Sequence, residues 1–413
     1  MAFLDLTAMN AALKELYDGQ VVEDLVYADN PFLAMLKKNT DFGGKYKPIP
    51  IVTGVSQGRS ASFANAQTNQ SAVQIESFFL TRLSDYSIAT IDNQTMLASA
   101  TDKMSFLEGA KLVIDGAIRS ITLSLSSSIF RDGTGTIGQI STIASGVIQL
   151  AAVSDVVQFE VNQTLEARTT SGGSTVSGDA LGYVVAVNRN NGQITVALSM
   201  GGSPATPANW VASNFLNVQG DSNAKISGLA AWLPGTDSTV NLATPFYGVT
   251  RSVDRTRLAG VVYDGSTQSI EEALIDASSL LAREGGKPNV AIMNYQSYAA
   301  LEKSLGSKVQ YIEAKPADSE SASIAFRGIM INGAASLIKV FPDRNCQPQT
   351  CYLLQMESWA LESLGDAPQI LRYGDGLEML RVYNADAGEV RVGYYANLRT
   401  NAPGWNANVK LSQ

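Results

Sequence analysis

The chain has 413 residues, of which 16% are charged, and a formal net charge of −8 from 30 basic and 38 acidic side chains. Single hydrophobic cores stop growing near roughly 250 residues, so this length favours two or three domains. The charged fraction lies below the typical value of about 25%, which leaves much neutral surface suited to protein contacts. The acidic balance excludes a dedicated duplex-binding domain, because neutralising phosphates needs clustered basic residues.

The sequence contains no histidine, so it lacks the commonest general base and metal ligand and cannot build a serine or cysteine triad. Its two cysteines, Cys346 and Cys351, are five positions apart, a spacing that fits no usual zinc pair and predicts two reduced thiols. We therefore expect no cofactor and no metal. The first residues lack the basic and apolar parts of a signal peptide, which predicts synthesis in a cytoplasm.

The first 83 residues predict an arm followed by a long excursion. Residues 1–42 suggest a short helix near 6–17 and a break at Asn30, which precedes a proline. Residues 43–83 predict a two-stranded hairpin whose tip, 56–71, is rich in Ser, Asn, Gln and Ala. Such a hairpin cannot bury its own faces.

A long helix is predicted over residues 92–129, where apolar residues recur every three or four positions. A helix of this size would be about 50 Å long. Asp102, Lys103 and Lys111 interrupt its apolar character and exclude a membrane span, and sustained heptads are missing. The remaining interpretation is a helix laid across a large flat molecule.

Residues 140–235 predict an all-β insert. One strand is expected at 156–161 and a hairpin pair at 183–187 and 194–198, joined by a tight turn at Asn191-Gly192. The alternative is that this segment is part of one large sheet.

From residue 250 onward, strands and helices alternate. Ser269 and Glu272 form a predicted capping box that opens a helix, and strand-like segments at 377–383 and 389–398 close the chain. This pattern predicts an α/β or α+β domain, and with the preceding segments we expect an α+β fold for the whole chain.

Two motifs invite a chemical interpretation. Residues 133–138 match G-x-G-x-x-G, but they follow a helix where a dinucleotide fingerprint must follow a strand, so they predict helix termination. A carboxylate pair could hydrolyse glycosides without histidine, yet nothing in the sequence fixes a pair at the required separation, and solvated or turn carboxylates are the favoured interpretation. The acidic residues concerned are Asp254, Asp264, Glu271, Glu272 and Asp375.

The order of these parts resembles the tailed-bacteriophage major capsid protein family, whose fold is shared with encapsulins and herpesvirus capsid floors. The resemblance covers nearly the whole chain, least clearly at 140–235. It is carried by the order of parts and by local phrases at residues 30–33, 130–140, 247–254, 257–260, 264–266, 293–301 and 374–391.

By this resemblance the fold comprises an arm, an extended loop, a peripheral domain with a spine helix, an inserted β domain and an axial domain. The implied boundaries are 1–42 for the N-terminal arm, 43–83 for the extended loop, 84–139 for the peripheral domain with the spine helix, 140–235 for the inserted β domain, 236–363 for the axial domain, and 364–413 for strands returning to the peripheral domain and the C-terminal tail.

The resemblance implies a non-enzymatic subunit that self-assembles through pentamers and hexamers into an icosahedral shell around phage double-stranded DNA, which it contacts non-specifically. Expected partners are neighbouring subunits, a separate scaffolding protein, a portal and a decoration or cement protein, with no membrane. Synthesis is expected in the bacterial cytoplasm and the final location in the virion. The expected inter-subunit contacts are Lys45, Lys47, Arg59, Phe63, Arg82, Asp254, Arg257 and Asp264.

Three other functions stay open at this point, one of which is a soluble phage tail or adhesion protein, since β-rich modules would also serve it. An encapsulin-like compartment would use the same fold. A histidine-free, carboxylate-dependent hydrolase would use the segment 140–235 to bind sugar.

Overall fold

The computed structural model describes residues 30–92, 103–178, 180–236, 242–305, 311–314, 326–372 and 379–412. The helices are α1 (Pro31–Met35), α2 (Phe63–Thr68), α3 (Lys103–Ser128), α4 (Leu229–Trp232), α5 (Arg255–Ala259), α6 (Ile270–Arg283) and α7 (Tyr295–Leu305). The strands are β1 (Lys37–Asn39), β2 (Tyr46–Gly54), β3 (Gln74–Thr81), β4 (Leu83–Asp92), β5 (Thr136–Ala144), β6 (Val147–Leu150), β7 (Thr164–Arg168), β8 (Leu181–Asn188), β9 (Gln193–Ala197), β10 (Phe215–Val218), β11 (Val261–Gly265), β12 (Val290–Met293), β13 (Tyr311–Ala314), β14 (Phe326–Asn332), β15 (Leu337–Pro342), β16 (Thr350–Leu354), β17 (Trp359–Ser363), β18 (Gln369–Ile370), β19 (Met379–Arg381), β20 (Ala387–Thr400) and β21 (Ala407–Leu411).

The peripheral sheet is built around β20, the longest strand described at 14 residues. β4 pairs antiparallel with β20, as do β17, β18 and β19, and β1 adds in parallel to β17. The spine helix α3 packs on β4 and β20 through a buried stripe at helical spacing, Ile114, Ile118, Ile121 and Leu125. Its 26 described residues span about 39 Å at 1.5 Å per residue.

The predicted spine helix, 92–129, agrees with α3 at its C-terminal end, whereas 93–102 lie outside the described residues. The predicted helix at 6–17 also lies outside them. The described part of the predicted arm is packed into the core, because Phe32, Leu36 and Phe42 are each fully buried.

The axial sheet has seven strands in the order β11-β21-β16-β12-β15-β14-β13. The helix α6 contacts β11 and β21 of this sheet, and α7 contacts β15. The predicted capping box is confirmed: the Ser269 side chain accepts from the Glu272 backbone, and the Glu272 side chain accepts from the Ser269 backbone.

Two strands cross between the sheets in a way that the predicted boundaries did not anticipate. β17 falls inside the predicted axial segment 236–363, yet it pairs with β20 in the peripheral sheet. β21 falls inside the predicted peripheral return 364–413, yet it lies between β11 and β16 in the axial sheet. The two sheets therefore exchange strands, which a division along the sequence cannot represent.

The insert is a closed six-stranded barrel in the order β10-β5-β6-β9-β8-β7, with a separate apolar core that includes Phe159, Leu165 and Trp210. The prediction of a strand at 156–161 is wrong, because Val153–Gln158 form a 3₁₀ helix. Val156 and Phe159, three positions apart, are both buried, as expected when one face of a 3₁₀ turn packs on the core.

The barrel strands extend from residue 136 to residue 218, which differs from the predicted 140–235 at both ends. Residues after the barrel return to the body, where Ile226, Leu229 and Trp232 join the main core. Among the described helices, none is both long enough and apolar enough to cross a membrane.

Candidate inter-subunit surface

The strands β2 and β3 form a separate two-stranded hairpin. Alternation along the strands gives it two faces. The inner face carries Ile49, Ile51, Phe78 and Leu80, all of them buried. A two-stranded sheet is marginal by itself, so the inner face depends on the body for its stability.

Aromatic packing anchors the root of the hairpin to the body. The Phe78 ring meets Trp232 edge-on at 5.1 Å and Phe246 at 6.3 Å between centroids. The Phe79 N–H donates to the Tyr247 carbonyl at 2.9 Å. The Tyr247 hydroxyl is itself held by Ser227 at 2.8 Å, and burial raises its pKa. The root is therefore fixed in position before any partner binds.

A buried carboxylate adds a charged anchor at the same root. Glu362 of β17 is fully buried and faces Lys47 at 2.5 Å and Arg399 at 2.6 Å. Asn39 Nδ2 donates to the same carboxylate at 2.8 Å. Two cations facing one buried anion offset the free-energy cost of removing that anion from water. Lys47, predicted as an inter-subunit contact, thus binds its own subunit here.

Arg82 is also engaged within the subunit. Its Nη1 donates to the Phe42 carbonyl at 2.8 Å, and its guanidinium lies 5.4 Å from the Phe42 ring centroid. Both Lys47 and Arg82 therefore hold the hairpin at its root.

The opposite face of the hairpin is apolar and exposed, and we call it the outer face. Tyr46 and Phe79 meet edge-on across the strands at 5.5 Å. Scattered apolar residues on a surface are ordinary, but a contiguous patch marks a contact site. The outer face consists of Tyr46 (50% exposed), Pro48, Pro50, Val52 (40%), Ile75 (64%) and Phe79 (47%).

The tip of the hairpin, residues 56–71, contains no buried residue. It holds the short helix α2, whose first residue Phe63 is 83% exposed. Arg59 at the tip and Lys45 near the root are also exposed. These three predicted contact residues therefore lie on accessible surface of the same element.

The remaining predicted contact residues lie in the axial domain and make local contacts. Asp254 caps α5 by accepting from the Arg257 N–H at 3.1 Å, and its carboxylate lies 3.6 Å from the Arg257 side chain. Hydrogen bonding from the Ser266 side chain and then from the Ser266 N–H, at 3.1 Å, lowers the pKa of Asp264. The Asp264 carboxylate also faces Lys410 at 3.5 Å. The contacts shown for these residues are thus made within the axial segment and with the C-terminal strand β21.

The acidic residues considered for hydrolysis have structural contacts. Asp254 and Glu272 cap helices, and Asp264 binds a turn. Asp375 lies outside the described residues. Within the described ranges, no group of three or more Cys, Asp or Glu side chains is arranged to hold a metal ion.

The glycine-rich segment 133–138 follows the end of α3 and leads into β5, so it does not open a helix. Gly133 and Gly135 have positive φ of 87° and 78°. A Cβ at Gly135 would lie 2.2 Å from the Asp221 carbonyl oxygen. These glycines allow the two connectors of the barrel to pack closely.

A polar cleft of about 690 Å³ lies between the spine helix, β4 and the barrel, and sequence reasoning did not indicate it. Lys225 forms ion pairs with Asp85 and, at 3.0 Å, with Asp221. Ser124 of the spine helix donates to Asp85 at 2.5 Å. Burial, together with the charges of Asp85 and Glu166, raises the pKa of Asp221 to about 6. This cluster joins the barrel exit to the peripheral domain.

Both cysteines are free and buried, and burial raises the pKa of each thiol. Raised pKa values suppress the thiolate and make these side chains inert.

Comparison with solved structures decides the fold. The chain is similar to a chain of the cyanophage A-1(L) capsid asymmetric unit over 94% of each, with a TM-score of 0.54 and 13% sequence identity. The chain has the capsid fold of tailed bacteriophages. The assignments of the hairpin as the extended loop and of α3 as the spine helix stay predictions.

Weaker likenesses are found to other shell proteins. An encapsulin chain of Synechococcus elongatus PCC 7942 matches over 99% of this chain and 96% of its own, at 10% identity and a TM-score of 0.42. A capsid chain of a native GTA particle matches over 92% and 90%, at 9% identity and a TM-score of 0.45. The capsid fold assignment rests on the cyanophage chain. No protein-family model and no curated protein matches the sequence.

Proposed function

We propose that this chain is a phage major capsid protein that assembles through pentamers and hexamers into an icosahedral shell around double-stranded DNA. The observation that carries the proposal is the capsid fold, matched over 94% of both chains. The chain is a structural subunit in this proposal, which is supported by the capping roles of Asp254, Glu272 and Asp264.

The outer face supplies the physical reason to assemble. Its six apolar residues lie on an element that is anchored at the root and exposed along its length. Burying apolar surface contributes roughly 25 cal/mol per Å², and stable interfaces bury about 1,600 Å² in total. A projecting hairpin can add such area against a neighbour without exposing the core of its own subunit.

The finer parts of the proposal concern partners. With a net charge of −8, contact with packaged DNA would be local and non-specific. A separate scaffolding protein, a portal and a decoration or cement protein complete the proposed particle. The subunit would be synthesised in the bacterial cytoplasm and reside in the virion.

Electron microscopy of the purified protein tests the shell function. We expect closed particles of uniform size, and we expect denaturing electrophoresis of those particles to show monomers near 43.9 kDa, because we propose non-covalent locking. Protein that stays monomeric at high concentration, with or without a scaffolding protein, would contradict the shell function. Ladders on the gel would contradict only the non-covalent locking.

Substitution on the outer face tests its contribution. Ile75→Ser removes an apolar side chain that is 64% exposed in the subunit, so subunit stability should change by less than about 0.5 kcal/mol. Shell yield should fall sharply. The matched control is Leu198→Ser, which removes a side chain of similar exposure, 58%, from the barrel. Equal losses of yield in both variants would argue against the outer face as the contact.

A further inference from the structure

The two edges of the hairpin differ in their capacity to bind another strand. Phe79 donates its N–H away from β2, to the Tyr247 carbonyl. Phe79 is paired directly with Pro48. Residues that face each other in an antiparallel ladder are either both hydrogen-bonded to one another or both turned outward. The Pro48 backbone nitrogen therefore also points outward, away from β3.

In an antiparallel ladder the backbone N–H groups point inward and outward at alternate residues, so the outward positions of both strands can be assigned. The next outward pairs are Pro50 with Ser77 and Val52 with Ile75. Tyr46, paired with Thr81, is the fourth outward position of β2. Pro48 and Pro50, the two central positions of these four, lack an N–H, so the outward edge of β2 cannot support a continuous ladder. The outward edge of β3 has N–H groups at Ser77 and Ile75. Within the described part of the chain, neither donates a hydrogen bond to another strand.

The open edge has a defined extent. At Phe79 the segment containing Tyr247 already occupies the edge, so an added strand must end before that residue. Gln74–Glu76 are exposed, and β3 begins at Gln74. The free stretch is therefore residues 74–77, long enough for a short added strand.

Charge complementarity identifies the partner. Residues 43–83 contain four basic side chains and one acidic side chain, Glu76, a net charge of +3. Since the whole chain carries −8, the remainder of each copy carries −11. Lys47 and Arg82 are engaged within their own subunit. The exposed Lys45 and Arg59 therefore supply the positive charge of the hairpin that can attract the acidic remainder of a second copy. The basic side chains are Lys45, Lys47, Arg59 and Arg82.

We propose that a strand of a second copy of this chain pairs with the outer edge of β3 at residues 74–77, and that the prolines of β2 keep the other edge closed. This inference rests on the proposed shell function and specifies its geometry. Because of the prolines, each hairpin can pair with a strand of a neighbouring copy at one edge only. This prevents open-ended edge-to-edge association of hairpins.

Amide hydrogen exchange in free subunits and in shells formed from the purified protein alone tests the pairing. In the free subunit the amides of Ile75 and Ser77 should exchange rapidly. In shells they should exchange at least about 100-fold more slowly, since a ladder bond must open before exchange. Closed shells in which both amides remain fast would overturn the pairing and leave the shell function intact. If no closed particles form, the shell function fails and the pairing with it.

A proline substitution supplies an independent test. Ser77→Pro removes an outward N–H opposite Pro50, so the hairpin loses no bond of its own. We expect at least about tenfold less assembled protein at equal concentration, because each interface loses a hydrogen bond and gains a steric block. Ala72→Pro, in the exposed segment before β3, is the control and should assemble normally. Normal assembly of Ser77→Pro would overturn the pairing.

Two further measurements distinguish a folding defect of Ser77→Pro from lost pairing, and a different partner from a second copy. Thermal melts of the Ser77→Pro subunit show whether it folds; if it does not, the exchange measurement decides. Protection of Ile75 and Ser77 that appears only after a different protein is added would overturn the second copy as the partner.

Discussion

Buried carboxylates mark the places where separate elements of this subunit meet. Glu362 joins β17 to the hairpin root and to β20. Asp343 lies next to a second junction. There the Asn345 side-chain amide donates to the Asn30 side chain at 3.1 Å and accepts from Gln158 of the barrel insert at 3.2 Å. A buried charge destabilises the fold unless it is paired. The partners of each carboxylate therefore decide whether it stabilises or destabilises the folded subunit.

Removing one partner of Glu362 should destabilise the subunit. Arg399→Ala leaves the buried carboxylate with Lys47 and Asn39, so we expect a loss of about 2 kcal/mol in the free energy of unfolding, below the full cost of orphaning a buried charge. Denaturant unfolding measures this loss. The control is Arg283→Ala, which removes an ion pair with Glu284 whose two side chains are 67% and 38% exposed and should cost less than about 0.5 kcal/mol. If Arg399→Ala also lowers the free energy of unfolding by less than about 0.5 kcal/mol, Lys47 is sufficient as the cationic partner of the Glu362 carboxylate.

Asp343 should make stability depend on pH in an unusual direction. Burial raises the pKa of this carboxyl to about 6, although the N–H groups of Asn345 and Phe32 lower it. The folded state then binds the proton more tightly than the unfolded state, so stability rises as the pH falls from about 7 to about 4. In Asp343→Asn this rise should shrink by on the order of 3 kcal/mol. Melts across this range measure it.

The control for Asp343 is a carboxyl shifted the other way. Asp264 is exposed, and its hydrogen bond from Ser266 lowers its pKa, so Asp264→Asn should not reduce the rise in stability at low pH. An unchanged pH profile in Asp343→Asn would mean that Asp343 titrates normally in the fold. Asp221, whose pKa is also raised to about 6, contributes in the same direction, so part of the rise should remain in Asp343→Asn.

At the scale of elements, the hairpin combines a fixed root with a tip in which no residue is buried. The Phe78 ring lies against Trp232, whereas residues 56–71 bury no side chain. The free energy that orders the root therefore comes from the subunit, and the free energy that orders the tip must come from a neighbour.

Deleting residues 56–71 separates these two contributions. The strands remain paired from Tyr46 to Gly54, and no core residue is lost, so the melting temperature of the subunit should change by only a few degrees. Shell formation should be abolished or strongly weakened. Calorimetry and electron microscopy measure the two outcomes. If the deletion unfolds the subunit, the tip belongs to its own core and the extended-loop assignment is wrong.

At the scale of the whole molecule, the barrel is the unit best suited to fold alone. It is a closed sheet without free edges around a core distinct from that of the body. A fragment spanning 132–224 should therefore give a dispersed amide spectrum. The fragment 140–235 should not, because it lacks the start of β5, which pairs with β10, and exposes Leu229 and Trp232, which pack in the body. A disordered spectrum for 132–224 would show that the barrel needs the body.

Local signals in the sequence were sufficient for the elements whose structure depends on local contacts. Helical spacing placed Ile114 to Leu125 on one buried stripe, and Ser269 with Glu272 marked the start of α6. The hairpin at 43–83 followed from strand patterns on each side of a polar tip. These features depend on contacts between residues close in the chain, so periodicity and capping chemistry determine them.

Long-range pairing decided the rest. The sequence could not show that β17 and β21 cross between the two sheets, because a strand's partner depends on residues far along the chain. It also could not separate Lys47, held by Glu362 315 positions away, from Lys45, which remains exposed. The cleft around Lys225 likewise joins Asp85 and Asp221 only after folding. The sequence by itself determined the α+β class, the order of parts and the position of the hairpin with its polar tip. The tertiary structure decided which charges are buried, which apolar residues form the outer face, which edge of the hairpin stays open and where the barrel begins and ends. Each of these features depends on which distant segments fold against one another.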